Sequence, residues 1–369
     1  MTDQVGSRES RIAAWMTALA LTFFWPILAT GPGSAGIGLV VTGLLTVFLL
    51  PRRYVRGLSL RPDVVFPMFA AFIWSVVVSF PLSGENEITG LLVFATQSLP
   101  LFAFFATARS VRSSFVVYLG LPLAIWVLAT EAIGGFPSIP SGVNTIAQGH
   151  AIWIAGLIGF TNDTFSPAKR FLVGTVCLVA LLLSPSSGPA LAGVVALVFF
   201  YWQGVRNSLR AKAFSALVVT AIAVLTIRSV VIEFSETATA INNSLARLDV
   251  WSAVLREHSF LGNGVSEIFL PTVGRSLGNA HNFWLDFLWV GGYLGLALVL
   301  LGTVRSIQGA RWKSRELRAL QVGLLTAALF SGSIFSVFTW LAIGIGATSY
   351  LPPQSRKATH QLSSVFADR

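Results

Sequence analysis

The chain has 369 residues, 54% of them hydrophobic and only 11% charged, with a formal net charge of +10. A water-soluble domain carries about 25% charged residues, so this composition excludes a soluble globular enzyme and leaves no length for a sizeable soluble domain. The excess of positive charge is gathered in particular loops, which points to membrane topology and away from nucleic acid.

Long, nearly uncharged apolar runs recur from end to end, and each is a candidate span. In chain order they predict twelve spans: 12–30, 35–50, 64–82, 89–107, 115–133, 145–161, 171–184, 190–203, 213–232, 282–304, 319–333 and 336–350. The first run, from Ile12, is of span length and has no small-residue cleavage site after it, so it reads as a span and not as a cleavable signal. Several runs are shorter than the ~20 residues a bilayer needs. Of these, 171–203 and 319–350 each read as a tight hairpin, with turns at Ser184–Pro189 and Ser331–Ser333. The predicted fold is all-α: a polytopic transmembrane helical bundle forming a single integral membrane domain. The single cysteine, Cys177, lies inside an apolar run, which excludes an intrachain disulfide and a cysteine metal cluster.

The loops alternate in charge. One set holds Arg8, Arg11, Arg52, Arg53, Arg56, Arg61, Arg109 and Arg112, then Lys169, Arg170, Arg206, Arg210 and Lys212. It continues with Arg305, Arg311, Lys313, Arg315, Arg318, Arg356, Lys357 and Arg369, which brings it to 21 of the 25 basic residues. The positive-inside rule makes this face cytoplasmic, with both termini on it. The basic balance then reflects contact with anionic lipid.

Arg228, Arg247, Arg256 and Arg275 remain for the opposite face. They lie in or beside one segment, 229–281, the long extracytoplasmic loop between spans nine and ten. Residues 241–257 have a helical rhythm, with Leu245, Val250 and Leu255 apolar and charges between them. This predicts a short helix along the membrane surface. The Gly- and turn-rich stretches LGNGVSEIF and PTVGRSLGNAH then predict an irregular segment folding back over the spans, with a turn at Gly262 and Gly264.

The polar groups worth chemistry gather at the external mouth of the bundle. His281 and Asn282 open the tenth span, at headgroup height, and Asp286 lies only ~7 Å deeper at a helical rise of 1.5 Å. Asn282 and Asp286 are four apart and share a face. An ionisable group at that depth belongs against protein or a wet cavity. The plain alternative is that His281 and Asn282 cap a helix at the interface. Gly291 and Gly295 form a small-xxx-small pair that admits a close neighbour.

Arg247 and Trp251, also four apart, are placed to stack, holding the guanidinium ready for an anion; the alternative is a solvated surface helix. Arg256, Glu257 and His258 read as a solvated face. Asn144, Gln148 and His150 open the sixth span on the same external side, either lining a polar cavity or satisfying local backbone. His360 lies in the cytoplasmic tail. The sequence shows no P-loop, HExxH, Cys/His metal spacing or GxSxG, so no metal and no cofactor are expected. External chemistry then runs on a substrate that arrives already activated.

The stretch AHNFWLDFLWVGGYLG resembles the C-terminal signature of the O-antigen ligase and O-antigen polymerase family of bacterial envelope enzymes. That signature has a His-Asn at the end of a long periplasmic loop, then a helix with a Gly-x-x-Gly pattern, here Gly292 and Gly295. RLDVW before a GNG turn resembles the family's Arg-x-x-x-Trp element and its following Gly-x-Gly. SPSSGPALAG falls where the family has Ser-Arg-Gly, and this chain departs from that pattern with Ser187 in the arginine's place. The likeness is specific over 247–295.

The resemblance implies a lipid-phosphate-dependent membrane glycosyltransferase in the bacterial inner membrane, independent of metal. Its donor is a glycan on undecaprenyl diphosphate. Its acceptor is the lipid A core for a ligase, the preferred reading, or another lipid-linked repeat unit for a polymerase of O-antigen or exopolysaccharide. His281 matches the catalytic histidine and Arg247 the diphosphate-binding arginine. Arg275 and Arg228 are further diphosphate candidates, and Asn282 or Asp286 orients His281. Two rival readings remain. A transporter or flippase for an anionic or lipid-linked substrate predicts charges near mid-bilayer and interrupted helices paired across two halves, whereas Glu131, the only span-embedded acid besides Asp286, lies near the end of the fifth span. A peptidoglycan-type polymerase has similar spans but matches the loop motifs less well.

Overall fold

The computed structural model describes residues 59–79, 117, 120–122, 124–125, 127–129, 142–162, 164–183, 187–204, 238–270, 275–277, 280–330 and 337–349. In chain order these form β1 (Ser59–Leu60), α1 (Pro62–Ser79), α2 (Gly142–Thr161), α3 (Pro167–Leu183), α4 (Ser187–Gly204) and α5 (Ala238–Glu257). They continue with β2 (Ile268–Leu270), β3 (Arg275–Leu277), α6 (Phe283–Ala310), α7 (Arg315–Phe330), α8 (Val337–Gly346) and β4 (Thr348–Ser349). Helix accounts for 83% of the described residues, which bears out the helical class. Two helices among them, α1 and α6, are long and apolar enough to cross a membrane. The predicted spans 12–30, 35–50, 89–107 and 213–232 lie outside the described residues.

Among the described residues the buried apolar side chains form two clusters. One joins α2, α3, α4, α7 and part of α8, and includes Trp153, Ile154, Leu157, Leu320 and Leu341. The other joins α1, α5, α6 and α8, with Met68, Val254, Phe283, Phe287 and Trp340. α1 lies along α6 on a stripe of small residues. A Cβ added at Gly291 would meet Trp74 at 3.3 Å, and one at Gly302 would meet the Met68 sulfur at 2.5 Å. The close neighbour expected at Gly291 and Gly295 is therefore α1. Two-residue strands β1 and β4 pair antiparallel and tie the start of α1 to the end of α8.

Two expectations need correction. The turn predicted over Ser184–Pro189 is in part helix: α4 begins at Ser187 and holds Pro189 in its first turn, where a missing N–H breaks no intrahelical bond. Residues 184–186 and the turn predicted at Ser331–Ser333 lie outside the described residues. The stretch predicted as irregular contains a hairpin, in which Ile268 pairs with Leu277 and Leu270 with Arg275. Ile268 and Leu270 are buried while Phe269 between them is exposed, the alternation of a half-buried strand. The turn residues around it masked that short alternation. The helix read over 241–257 is present as α5, starting three residues earlier.

α6 is not continuous. Gly292 has φ 61 and ψ −158, which breaks the helical ladder. The loop after α5 closes the break: Asn263 N–H donates to Trp289 O at 2.7 Å and Gly264 N–H to Val290 O at 3.1 Å. Tyr293 N–H donates to Phe260 O, and the Trp74 indole to Gly291 O at 2.8 Å. Gly262 and Gly264 take φ of 108 and 69, as the predicted turn requires. A Cβ on Gly262 would lie 2.2 Å from Val290 O, and one on Gly292 2.2 Å from Phe260 O. Neither position has room for a side chain. This is how the loop comes back along α6 and brings the end of α5 to the break.

Candidate functional site

Asn282 caps α6. Its backbone is extended (φ −146, ψ 118), and its side-chain oxygen accepts from the N–H groups of Trp284 and Leu285, both at 3.1 Å. Those N–H groups have no partner within the helix, and Asn is among the preferred residues for satisfying them. The same side chain donates through Nδ2 to Leu329 O at 3.0 Å, at the end of α7. The cap thus anchors the mouth of α6 to a neighbouring helix as well as closing it.

Asp286, one turn in and 3% exposed, turns back toward the approach to the helix. Its Oδ1 accepts from the backbone N–H of Ala280. The carbonyl of the same residue accepts from the Trp251 indole N–H at 2.9 Å. Ala280 is itself fully buried. Its peptide groups are therefore clamped from both sides, by α5 and by α6, immediately before His281.

His281 is the one non-glycine residue with positive φ among the described residues, at 51. Such backbone is uncommon outside glycine, although His adopts it more readily than most. Residues held this way cluster where a side chain must be aimed. The clamp on Ala280 and the cap at Asn282 hold that conformation from its two ends.

Arg247, on α5 one turn before Trp251, supplies the charge. Burial lowers the pKa of Arg247, and the residue keeps its positive charge because an arginine starts near 12.5. His281 is lowered below the ordinary 6.5, first by burial and second by the positive charge of Arg247. That second cause means the guanidinium and the imidazole feel one another's charge. Both are half-buried. The pair is therefore a neutral base beside a fixed cation, outside the spanning part of α6. Such a pair can accept a proton and stabilise an anion at once.

The other predicted site residues divide. Asn282, Asp286 and Trp251 converge on the backbone on either side of His281, through the bonds to Trp284, Leu285 and Ala280. The stacking of Arg247 on Trp251 is not among the cation–π contacts of the described residues, which are Lys169 over Phe165 and Arg315 over Phe200. Trp251 instead supplies the donor to Ala280. Arg275 pairs through its backbone with Leu270; its side chain lies outside the described residues, as does all of Arg228. Arg256 and Glu257 are exposed, as read from the sequence, but His258, read as part of the same solvated face, is half-buried, with its ring 4.9 Å from that of Tyr293 and its Nδ1 2.9 Å from Val254 O. His150 is 3% exposed, and its Nδ1 accepts from the Trp153 indole at 2.9 Å, so it satisfies its own helix. The side chains of Asn144 and Gln148 lie outside the described residues, as do Glu131 and His360.

Two features of the site had no reading in the sequence: the clamp on Ala280 and the break at Gly292. The signal for the first was Trp251 itself, an indole needing an acceptor when buried. The signal for the second was the Gly-Gly pair inside an otherwise unbroken helix pattern. Compared with known proteins, the chain matches no family model and no curated protein in sequence, so a functional reading rests on the geometry of His281 and Arg247.

Proposed function

We propose that this chain is a metal-independent glycosyltransferase of the O-antigen ligase type. It moves a glycan from undecaprenyl diphosphate to the lipid A core at the periplasmic face of the bacterial inner membrane. Its frame in this reading is a bundle of about twelve spans with both termini cytoplasmic and the loop 229–281 external. The observation that carries the proposal is the setting of His281, half-buried on left-handed backbone beside the Ala280 clamp and within electrostatic reach of Arg247.

The chemistry follows from those two groups. The acceptor hydroxyl attacks the anomeric carbon, and the neutral His281 takes its proton. The bond from that carbon to the diphosphate oxygen breaks, and its electron pair leaves with the lipid diphosphate. Arg247 holds the phosphate oxygens through paired N–H donors and offsets the growing charge. With the basic nitrogen and the cation provided by the chain, the reaction runs without a metal. Polymerisation of lipid-linked repeat units uses the same two groups with a different acceptor.

The test is transfer by the purified protein in liposomes, supplied with a lipid-linked glycan and either acceptor. Glycan appearing on the lipid A core supports the ligase. Lengthening lipid-linked chains support polymerisation. Movement of intact donor between leaflets with no new glycosidic bond points to a flippase and sinks the transferase reading.

A further inference from the structure

We propose that the outer surface of the bilayer meets this protein at the Gly291–Gly292 break in α6, with the loop residues Phe260 and Leu261 resting in the acyl layer just below it. The inference rests on α1 and α6 crossing a membrane; it does not depend on glycosyl transfer.

The surface of α6 changes at the break. Its exposed large apolar side chains begin with Tyr293 (52%) and Leu294 (47%) and continue through Leu300, Leu301, Val304 and Ile307. Between Phe283 and Gly292 every residue is buried or half-buried, wrapped by the loop.

The loop carries the same boundary. Arg256 and Glu257 are exposed at the end of α5, directly before His258, whose ring meets Tyr293 at 4.9 Å. Glu267 is exposed directly after Ser266, which is bonded to the Trp289 indole. Glu267 therefore sits level with Trp289, three residues before the break, and Arg256 and Glu257 close α5 just ahead of a histidine packed on the first residue after it. Exposed charges are expensive in hydrocarbon, so the acyl layer lies below them. Phe260, 74% exposed, packs on Tyr293 at 5.7 Å, and Leu261 is 56% exposed. A charged collar above and an aromatic–aliphatic belt beneath is the arrangement of a membrane interface. The broken backbone tolerates that depth because Trp289 O, Val290 O, Gly291 O and Tyr293 N–H are all bonded.

A bilayer set at the start of α6, as the helix boundary alone suggests, would draw Arg256, Glu257 and Glu267 into the acyl layer. With the boundary at the break, His281 lies eleven residues before it, at the far end of the wrapped part of α6, and under the proposed function a lipid diphosphate has to travel along that part to reach it.

The unmodified protein in liposomes, labelled with a membrane-restricted photoactivated carbene reagent and mapped by mass spectrometry, tests the placement. Label on Phe260 or Leu261 together with Leu300 and Leu301 is expected. Label on Leu300 and Leu301 with none on the loop overturns it. In nanodiscs and a Cys177→Ala background, Glu267→Cys should react with a water-soluble maleimide at least tenfold faster than Leu301→Cys. Equal, slow reaction of both would place the loop deeper in lipid and also overturn the proposal. Neither readout involves activity, so failure here leaves the transferase reading standing, and the reverse.

Discussion

His150 and His281 both belong to the polar residues that the sequence gathers at the external mouth of the bundle, yet they end in opposite circumstances. His150 is 3% exposed inside α2, its Nδ1 occupied by the Trp153 indole and its ring 4.8 Å from that of Phe338. With Nδ1 accepting, the neutral ring carries its proton on Nε2, and the nitrogen that accepts is used up in packing. His281 is half-buried, sits on left-handed backbone and lies within electrostatic reach of a guanidinium. The difference teaches that a polar cluster in the sequence does not by itself distinguish a histidine spent in packing from one set beside a cation. The distinction is what neighbouring elements bring to the ring: an indole in one case, a cation in the other.

The sharpest way to break this comparison is to remove each ring. Under the proposed function, His281→Ala is expected to lower transfer about 10²–10⁴-fold, the usual worth of a positioned general base, while membrane insertion is unchanged. His150→Phe keeps the ring and should leave the turnover of folded enzyme within about twofold. Its expected effect is on stability, by about 1–3 kcal/mol, because the Trp153 N–H is left buried without an acceptor. Thermal unfolding and single-turnover transfer, measured on both variants, separate the two outcomes. Equal losses of turnover would dissolve the distinction.

Next in size is the cation. Arg247→Ala should cost about 10²–10³-fold in kcat, as for loss of one group that stabilises developing negative charge. Arg247→Lys should recover only part of it, since an ammonium does not reproduce the paired donors of the guanidinium. Full recovery by lysine would mean that only the net charge matters. Trp251→Phe tests the clamp on Ala280. The aromatic body remains and only the donor is lost, so a decrease of about tenfold is expected from one orphaned buried carbonyl. That decrease should fall on kcat more than on KM, because the change acts on how His281 is held. Equal shifts in both constants would argue for a merely structural tryptophan.

The smallest effect is on pH dependence. The pKa of His281 is lowered by burial and then by Arg247. The folded protein therefore resists a proton that the unfolded chain accepts. The sign follows: above pH ~6.5 the group is neutral in both states and contributes nothing to stability. As pH falls through that value, the unfolded state binds the proton first and stability declines until the folded group also titrates. For catalysis, the acid limb of kcat/KM, which reports the free enzyme, should fall below 6.5. In Arg247→Ala it should move part of the way back, leaving the shift due to burial. A limb at 6.5 in both proteins would show that the two side chains do not feel each other.

Several parts of this picture were legible beforehand. The helical class followed from composition, and the helices α1 and α6 follow the predicted spans 64–82 and 282–304 within a few residues, apart from the C-terminal end of α6. Asn282 and Asp286 were identified by residue type and spacing, because a polar residue in an apolar helix start has few roles. What they touch was not legible. Asp286 reaches Ala280, and Trp251 reaches the same residue from 29 positions away. Local periodicity carries no information about such pairings. The hairpin at 268–277 was missed for a related reason: three-residue strands are too short to display a period.

The sequence by itself determined that the chain is helical and apolar, that its charges are segregated, and that His281, Asn282 and Asp286 stand together where α6 begins. These are consequences of hydrophobicity and of helical spacing, which act over a few residues. Only the tertiary structure decided that α6 breaks at Gly292, because the break is held by backbone groups from a loop about thirty residues earlier. It also decided that Arg247 and His281 share one electrostatic environment, since that depends on α5 folding back along α6. Charge coupling and hydrogen bonding are matters of distance in space, and over such separations in the chain only folding sets that distance.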